Sequence, residues 1–214
     1  MAPPGPLTVW SGWDVRGGAS AQPGAAEPFT ESAPRGPGQG AHYELIAVAV
    51  RGFRPPRFLS TAPIPRDADA DAPAEDEPGT GGLRRTWSLV YRRVAETAPV
   101  VVEPYGIYLL GVDPPADATD DDLDVFNDFY TNVHLPEVAA RRHALRAARY
   151  ELVREVKPPY PGAPRFLAVY EVDEQAASNR RHSGPPYAKG PDVWQRHKTP
   201  WRLWYRRLAR ASSS

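Results

Sequence analysis

Two ten-residue stretches of this 214-residue chain nearly coincide. TWSLVYRRVA at 86–95 and PWRLWYRRLA at 200–209 agree at Trp, Leu, Tyr, Arg, Arg and Ala. In each stretch Trp, Leu and Tyr recur at every second residue. In extended chain that spacing puts the three rings and branches on one face. Two shorter matches precede them in the same order: Tyr43-Glu44-Leu45 with Tyr150-Glu151-Leu152, and Pro56-Arg57-Phe58-Leu59 with Pro164-Arg165-Phe166-Leu167. The step from the Tyr to the Arg is 14 residues in one copy and 15 in the other, and from that Arg to the Trp it is 30 and 36. Three matches in register predict an N-terminal half that is a degenerate copy of the C-terminal half. The traces kept are those of its second, third and fourth strands.

The C-terminal copy is the more complete. GIYLLGV at 106–112 is a short apolar run stopped by Asp113-Pro114-Pro115, which predicts a strand. Thr119 before Asp120, Asp121 and Asp122 predicts a capped helix start, with acidic side chains at the positive end of its dipole. Leu123, Phe126, Tyr130 and Val133 then follow at helical spacing, and His134 projects from nearly the same face. Pro136 has no amide hydrogen, so the helix is expected to kink or restart at Leu135. Strands are predicted at 145–156, 165–172 and 200–209, with a broken helical stretch at 174–198. At the centre of 165–172 both faces are apolar, which marks an inner strand. The order is β-α-β-β-α-β, so the expected class is α+β, a ferredoxin-like antiparallel sheet with helices on one face. The other sheet face needs a cover. The N-terminal half would supply it as an intrachain pseudo-dimer, or a second chain would as a homodimer, and two such sheets face to face would close into a barrel.

Elsewhere the chain is poor in order-forming sequence. Pro 26 and Gly 17 make up about a fifth of the residues, well above ordinary usage. They concentrate in 1–41, expected to be a disordered arm, and in the acidic loop 63–82. Trp10 and Trp13 stand out within that arm, either as chance residues or as groups that dock on a partner or on the core. Residues 42–98 form the expected degenerate half, 106–210 the main domain and 211–214 a tail. Lys plus Arg and Asp plus Glu are both 26. That balance argues against nucleic acid or an anionic membrane as the principal partner. No apolar run reaches the ~20 residues of a membrane span, and the N-terminus does not read as a secretory signal. The expected location is the cytoplasm. With no cysteine, thiolate nucleophiles, disulfides and zinc–thiolate sites are excluded.

DVFNDFYTNVHLPEVAARRHALRAARYE at 124–151 resembles the signature of EthD-like proteins in the dimeric α+β barrel superfamily. Those proteins have an acid-capped helix with an aromatic, a His before Leu-Pro or Ile-Pro, and a strand ending in Arg-Tyr. PRFLAVYEVD at 164–173 is similar to their next strand. The sequence departs from them at Ala144-Leu145, where a Gly-Phe pair is usual, and in its acidic insertion. The resemblance implies a pocket for a small apolar, aromatic or polyketide-like molecule. It also implies lyase- or isomerase-type chemistry without a cofactor, such as decarboxylation, dehydration or cyclisation.

His134 and Tyr130 are accordingly the catalytic candidates, as a neutral imidazole for proton transfer and a hydroxyl for an enolate. Tyr108, Phe126, Tyr170 and Trp201 are the substrate-binding candidates. A structural reading stands beside each: His134 as a cap on the kinked helix end, the tyrosines as core residues with a satisfied tip. His134 with Glu137 offers too few ligands for a metal. No pattern marks His134, His143 or His182 as a haem ligand, so neither cofactor nor metal is expected. Arg206-Arg207 and Arg92-Arg93 are read as edge charge, with one of each pair facing inward. A ligand-binding barrel protein without catalysis is the second functional reading.

Overall fold

In the computed structural model the described residues are 5–15, 41–50, 53–64, 83–97, 103–179 and 186–208. Eight strands form in chain order: β1 (Leu7–Val15), β2 (His42–Val48), β3 (Phe58–Pro63), β4 (Leu83–Glu96), β5 (Gly106–Asp113), β6 (Arg146–Lys157), β7 (Phe166–Val172) and β8 (Lys198–Arg207). They close into one antiparallel barrel in the order β1-β3-β2-β8-β5-β7-β6-β4. Alternation sorts the side chains. Trp10, Tyr43, Leu59, Trp87, Leu89, Tyr91, Ile107, Leu109, Leu167, Val169, Trp201, Leu203 and Tyr205 make one buried cluster, the barrel interior. The opposite faces of β5, β7 and β8 carry Tyr108, Leu110, Val112, Phe166, Ala168, Tyr170, Val172 and Trp204 against the helices.

The expected ferredoxin-like α+β class is therefore corrected. An open four-stranded layer would leave the backbone of its two outer strands unpaired. Here β4 pairs along β6 and β2 along β8, so both outer strands of the C-terminal set are taken up and the sheet has no edge. The result is a closed eight-stranded β-barrel of one chain, with short helices on the outside of one flank. The missing piece in the sequence reading was β1. Leu7–Val15 lies in the expected disordered arm, yet it pairs with both β3 and β4. Trp10 and Trp13 are the reason: they are 3% and 6% exposed, and their burial offsets the ordering of a short segment. Residues 16–40, most of the acidic loop (65–82) and the tail lie outside the described residues.

The matched motifs occupy β4 and β8 and touch across the barrel axis. The rings of Trp87 and Trp201 are 5.5 Å apart. The Tyr91 hydroxyl donates to the Pro164 carbonyl at 2.7 Å, and the Tyr205 hydroxyl donates to the Pro56 carbonyl at 3.1 Å. Each half thus latches onto the proline carbonyl of the other. Gly12 and Gly111 make room for these prolines and tryptophans; a Cβ on Gly111 would lie 2.7 Å from Cγ of Pro164.

The helices are α1 (Asp120–Phe129), a π-turn (Tyr130–His134), α2 (Leu135–Arg141), α3 (Glu174–Ser178) and α4 (Asp192–Gln195). None among the described residues is long and apolar enough to cross a membrane.

Candidate functional site between the helices and the barrel

Thr119 starts the site's main helix with a reciprocal cap. Its hydroxyl accepts from the Asp122 amide at 3.2 Å, and its own amide donates to the Asp122 carboxylate at 3.1 Å. Those bonds hold Asp122 below the usual carboxylate range. Fourteen residues on, Pro136 offers no amide to the carbonyl four residues behind it, and its ring would crowd that carbonyl. The backbone responds one turn earlier by widening. The Leu135 amide reaches back to the Tyr130 carbonyl, five residues away, and α2 restarts at Leu135. The expected restart is thus present, and it comes with a π-turn that spacing alone did not announce.

The widened turn brings Phe126, Tyr130 and His134 to the inner side in succession. Their ring centroids are 5.9 Å apart at each step. Tyr130 is fully buried. Behind it lies Arg149 of β6, 2% exposed, whose guanidinium sits 4.5 Å from the Tyr130 ring and 4.2 Å from that of Phe166. Asn127 and Thr131 hold this cation by their side-chain oxygens. Desolvation draws its pKa down to about 10, so it stays charged at neutral pH.

The barrel supplies the floor. Tyr108 stacks on Trp204 at 4.5 Å and lies 5.9 Å from Tyr170. The Arg142 guanidinium, from the end of α2, covers the Tyr108 ring at 4.4 Å. The outer wall is the 186–195 segment. His134 packs against Trp194 at 4.6 Å and Tyr187 at 5.3 Å, and His197 stacks on Trp194 at 4.3 Å. Glu137 fastens this wall, accepting from the Ala188 amide at 3.1 Å and from Arg141, whose guanidinium lies 4.5 Å over the Tyr187 ring. Residues 180–185, which lead into the wall and include His182, lie outside the described residues.

Five of the six candidate residues therefore meet: His134, Tyr130, Tyr108, Phe126 and Tyr170 share one layer between helices and sheet. Trp201 is the exception. It faces the barrel interior, stacked on Phe53 at 5.0 Å. Parity decides this. Trp201, Leu203 and Tyr205 point inward, so the tryptophan that reaches the site from β8 is Trp204, directly opposite Tyr108 in the ladder. The repeat already held that signal, because Trp201 matches Trp87 in an alternating run. Sequence reasoning also missed Arg142, Tyr187 and Trp194. No motif marks them, and they arrive from a helix end and from a Gly- and Pro-broken segment.

Chemically, three of the polar atoms buried in this layer stand out. The hydroxyls of Tyr130 and Tyr170 and Nδ1 of His134 are buried with no hydrogen-bond partner among the described residues. Such groups are rare in folded proteins and each calls for an explanation. Burial pushes both tyrosines well above their ordinary pKa, and Tyr170 also feels the Tyr130, Tyr108 and Tyr187 hydroxyls. They remain neutral O–H donors. Burial likewise pushes His134 down to about 4, with His197 and Arg141 acting in the same direction and Glu137 against it. At neutral pH its imidazole carries one proton and one free lone pair. No protein-family model matches the sequence, and no curated protein matches it.

Proposed function

We propose that this protein binds a small oxygen-bearing aromatic or polyketide-like molecule between its helices and barrel, and moves a proton on it without a cofactor. The observation that carries the reading is the set of orphaned atoms, Tyr130 Oη, Tyr170 Oη and His134 Nδ1, within one aromatic-walled layer. Two neutral phenol donors are what a developing enolate oxygen requires. A neutral imidazole beside them accepts the proton that leaves carbon, and the negative charge forming next to it raises its basicity as the transfer proceeds. Arg142 on Tyr108 and Arg149 on Tyr130 add positive potential on the same side. The likeness of 124–151 to EthD-like proteins supports the same chemistry. Binding without turnover is the second reading. It is favoured by the low basicity of His134.

The test is exchange of the acidic C–H of benzoylacetone in deuterated buffer, followed by proton NMR. The protein is expected to accelerate exchange. His134→Gln is expected to remove that acceleration, and Tyr130→Phe to cut it by about a hundredfold to a thousandfold, the loss of one oxyanion donor. Acceleration that survives His134→Gln unchanged would overturn the acid–base role. Saturable binding with no acceleration would leave the second reading.

A further inference from the structure

We propose that one mouth of the barrel is a separate binding site for a small planar aromatic carboxylate. A cavity of about 240 Å³ opens there, walled by Trp10, Tyr43, Tyr150 and Val169 and edged by Arg146, Glu171 and Arg207. It lies on the opposite face of the strands from the His134 layer. Val169 and Glu171 of β7 point into the barrel, and Tyr170 between them points to the helices.

Three observations define the ligand. The walls are aromatic: Trp10 and Tyr150 meet edge to face at 5.6 Å, and Trp10 is 3% exposed. Its indole N–H, a donor only, is buried without a partner among the described residues. The lining carries two guanidinium groups, Arg146 and Arg207, and the carboxylate of Glu171. Arg146 is committed to Glu171, on its own strand's neighbour. Arg207 is different: its side chain is 19% exposed, while its partner Glu103 is 70% exposed, a solvent-screened pair that a better placed anion displaces. A guanidinium fork matches a carboxylate in two parallel bonds. Finally, the volume is below the roughly 300–1,000 Å³ of sites for drug-sized molecules, which sets the ligand at about one ring. Tyr43, kept protonated by its burial, adds a hydroxyl donor to the wall.

The experiment is a titration of the full-length protein with benzoate, read from the Trp10 indole N–H signal, which Trp10→Phe assigns. A saturable shift is expected, with benzamide binding about tenfold more weakly for want of charge. Arg207→Ala is expected to weaken benzoate by about tenfold or more, and Thr8→Trp, at the rim, to abolish the shift. His134→Gln is expected to leave it unchanged, which separates this site from the proton-transfer layer. Should Arg207→Ala fail to fold, Arg207→Lys keeps the charge without the fork and is expected to bind several-fold more weakly. The proposal is overturned if benzoate gives no saturable shift up to about 10 mM. It is equally overturned if folded Arg207→Ala and Thr8→Trp proteins bind as the parent does, or if the shift is lost in His134→Gln.

Discussion

Gly190 shows how closely the wall beside His134 is built. Its φ is +69°, and a Cβ there would lie 2.6 Å from Cδ1 of Trp194 and 2.7 Å from the Phe129 ring. Gly190→Ala adds left-handed backbone strain to overpacking, and a loss of about 1–3 kcal/mol is expected in urea unfolding. His134 makes a second residue-scale prediction. Its folded pKa, about 4, lies below its unfolded value of 6.5, so folding favours the neutral ring. The associated stability is fully present above pH 6.5 and is lost as pH falls toward 4. The full effect is on the order of 3 kcal/mol, from a shift of that size. His42, also lowered by burial and by Arg207, acts in the same sense. Unfolding curves at pH 7.5 and pH 4.5 are expected to differ less for His134→Gln than for the parent. An identical pH dependence in the two proteins would show that His134 does not titrate across that window.

Among the elements, the wall and the latches differ in kind. Glu137 ties 186–190 to α2 by accepting from the Ala188 amide, and its i,i+4 partner Arg141 donates to the Pro186 carbonyl at 3.1 Å, both contacts exposed. Glu137→Ala is expected to speed amide exchange across 186–195 with a global cost of about 0.5–1.5 kcal/mol. The Tyr91 and Tyr205 latches are buried. Removing either hydroxyl strands a carbonyl inside the protein, so Tyr91→Phe and Tyr205→Phe are each expected to cost about 1–3 kcal/mol. Similar losses from the two would reflect their equivalent places; a null effect at both would mean the carbonyls find other partners. Most elements of the C-terminal half could be read from sequence because each carries its own local signal: a cap at Thr119, alternation in 200–209, a proline at 136. The π-turn could not, since it is a response of backbone to Pro136 rather than a pattern in side chains. His134, Tyr130, Tyr108, Phe126 and Tyr170 were legible because helix and strand periodicities place them. Trp194 and Tyr187 sit where no periodicity holds.

For the whole molecule, closure within a single chain is the property that local reading left undecided. It depends on β1, nine residues among prolines and glycines whose pairing is entirely non-local. A chain lacking residues 1–15 is expected to expose the edges of β3 and β4 and to aggregate or unfold. Size-exclusion chromatography and far-UV circular dichroism would detect this, and a monomeric, folded truncated protein would show that β1 is dispensable. The ring order has a further implication, for biosynthesis. Strand β2 has its neighbours in β3, close by in the chain, and in β8, the last strand to leave the ribosome. A nascent chain that has completed β1 to β4 therefore has two unsatisfied margins and waits about 60 more residues for β6 to pair with β4 and roughly a hundred for β8 to pair with β2, the latter on the order of 5–20 s at ordinary translation speeds. Over that interval, the charges of Glu44 and of Arg92 and Arg93 are what stand between those margins and the wrong partner.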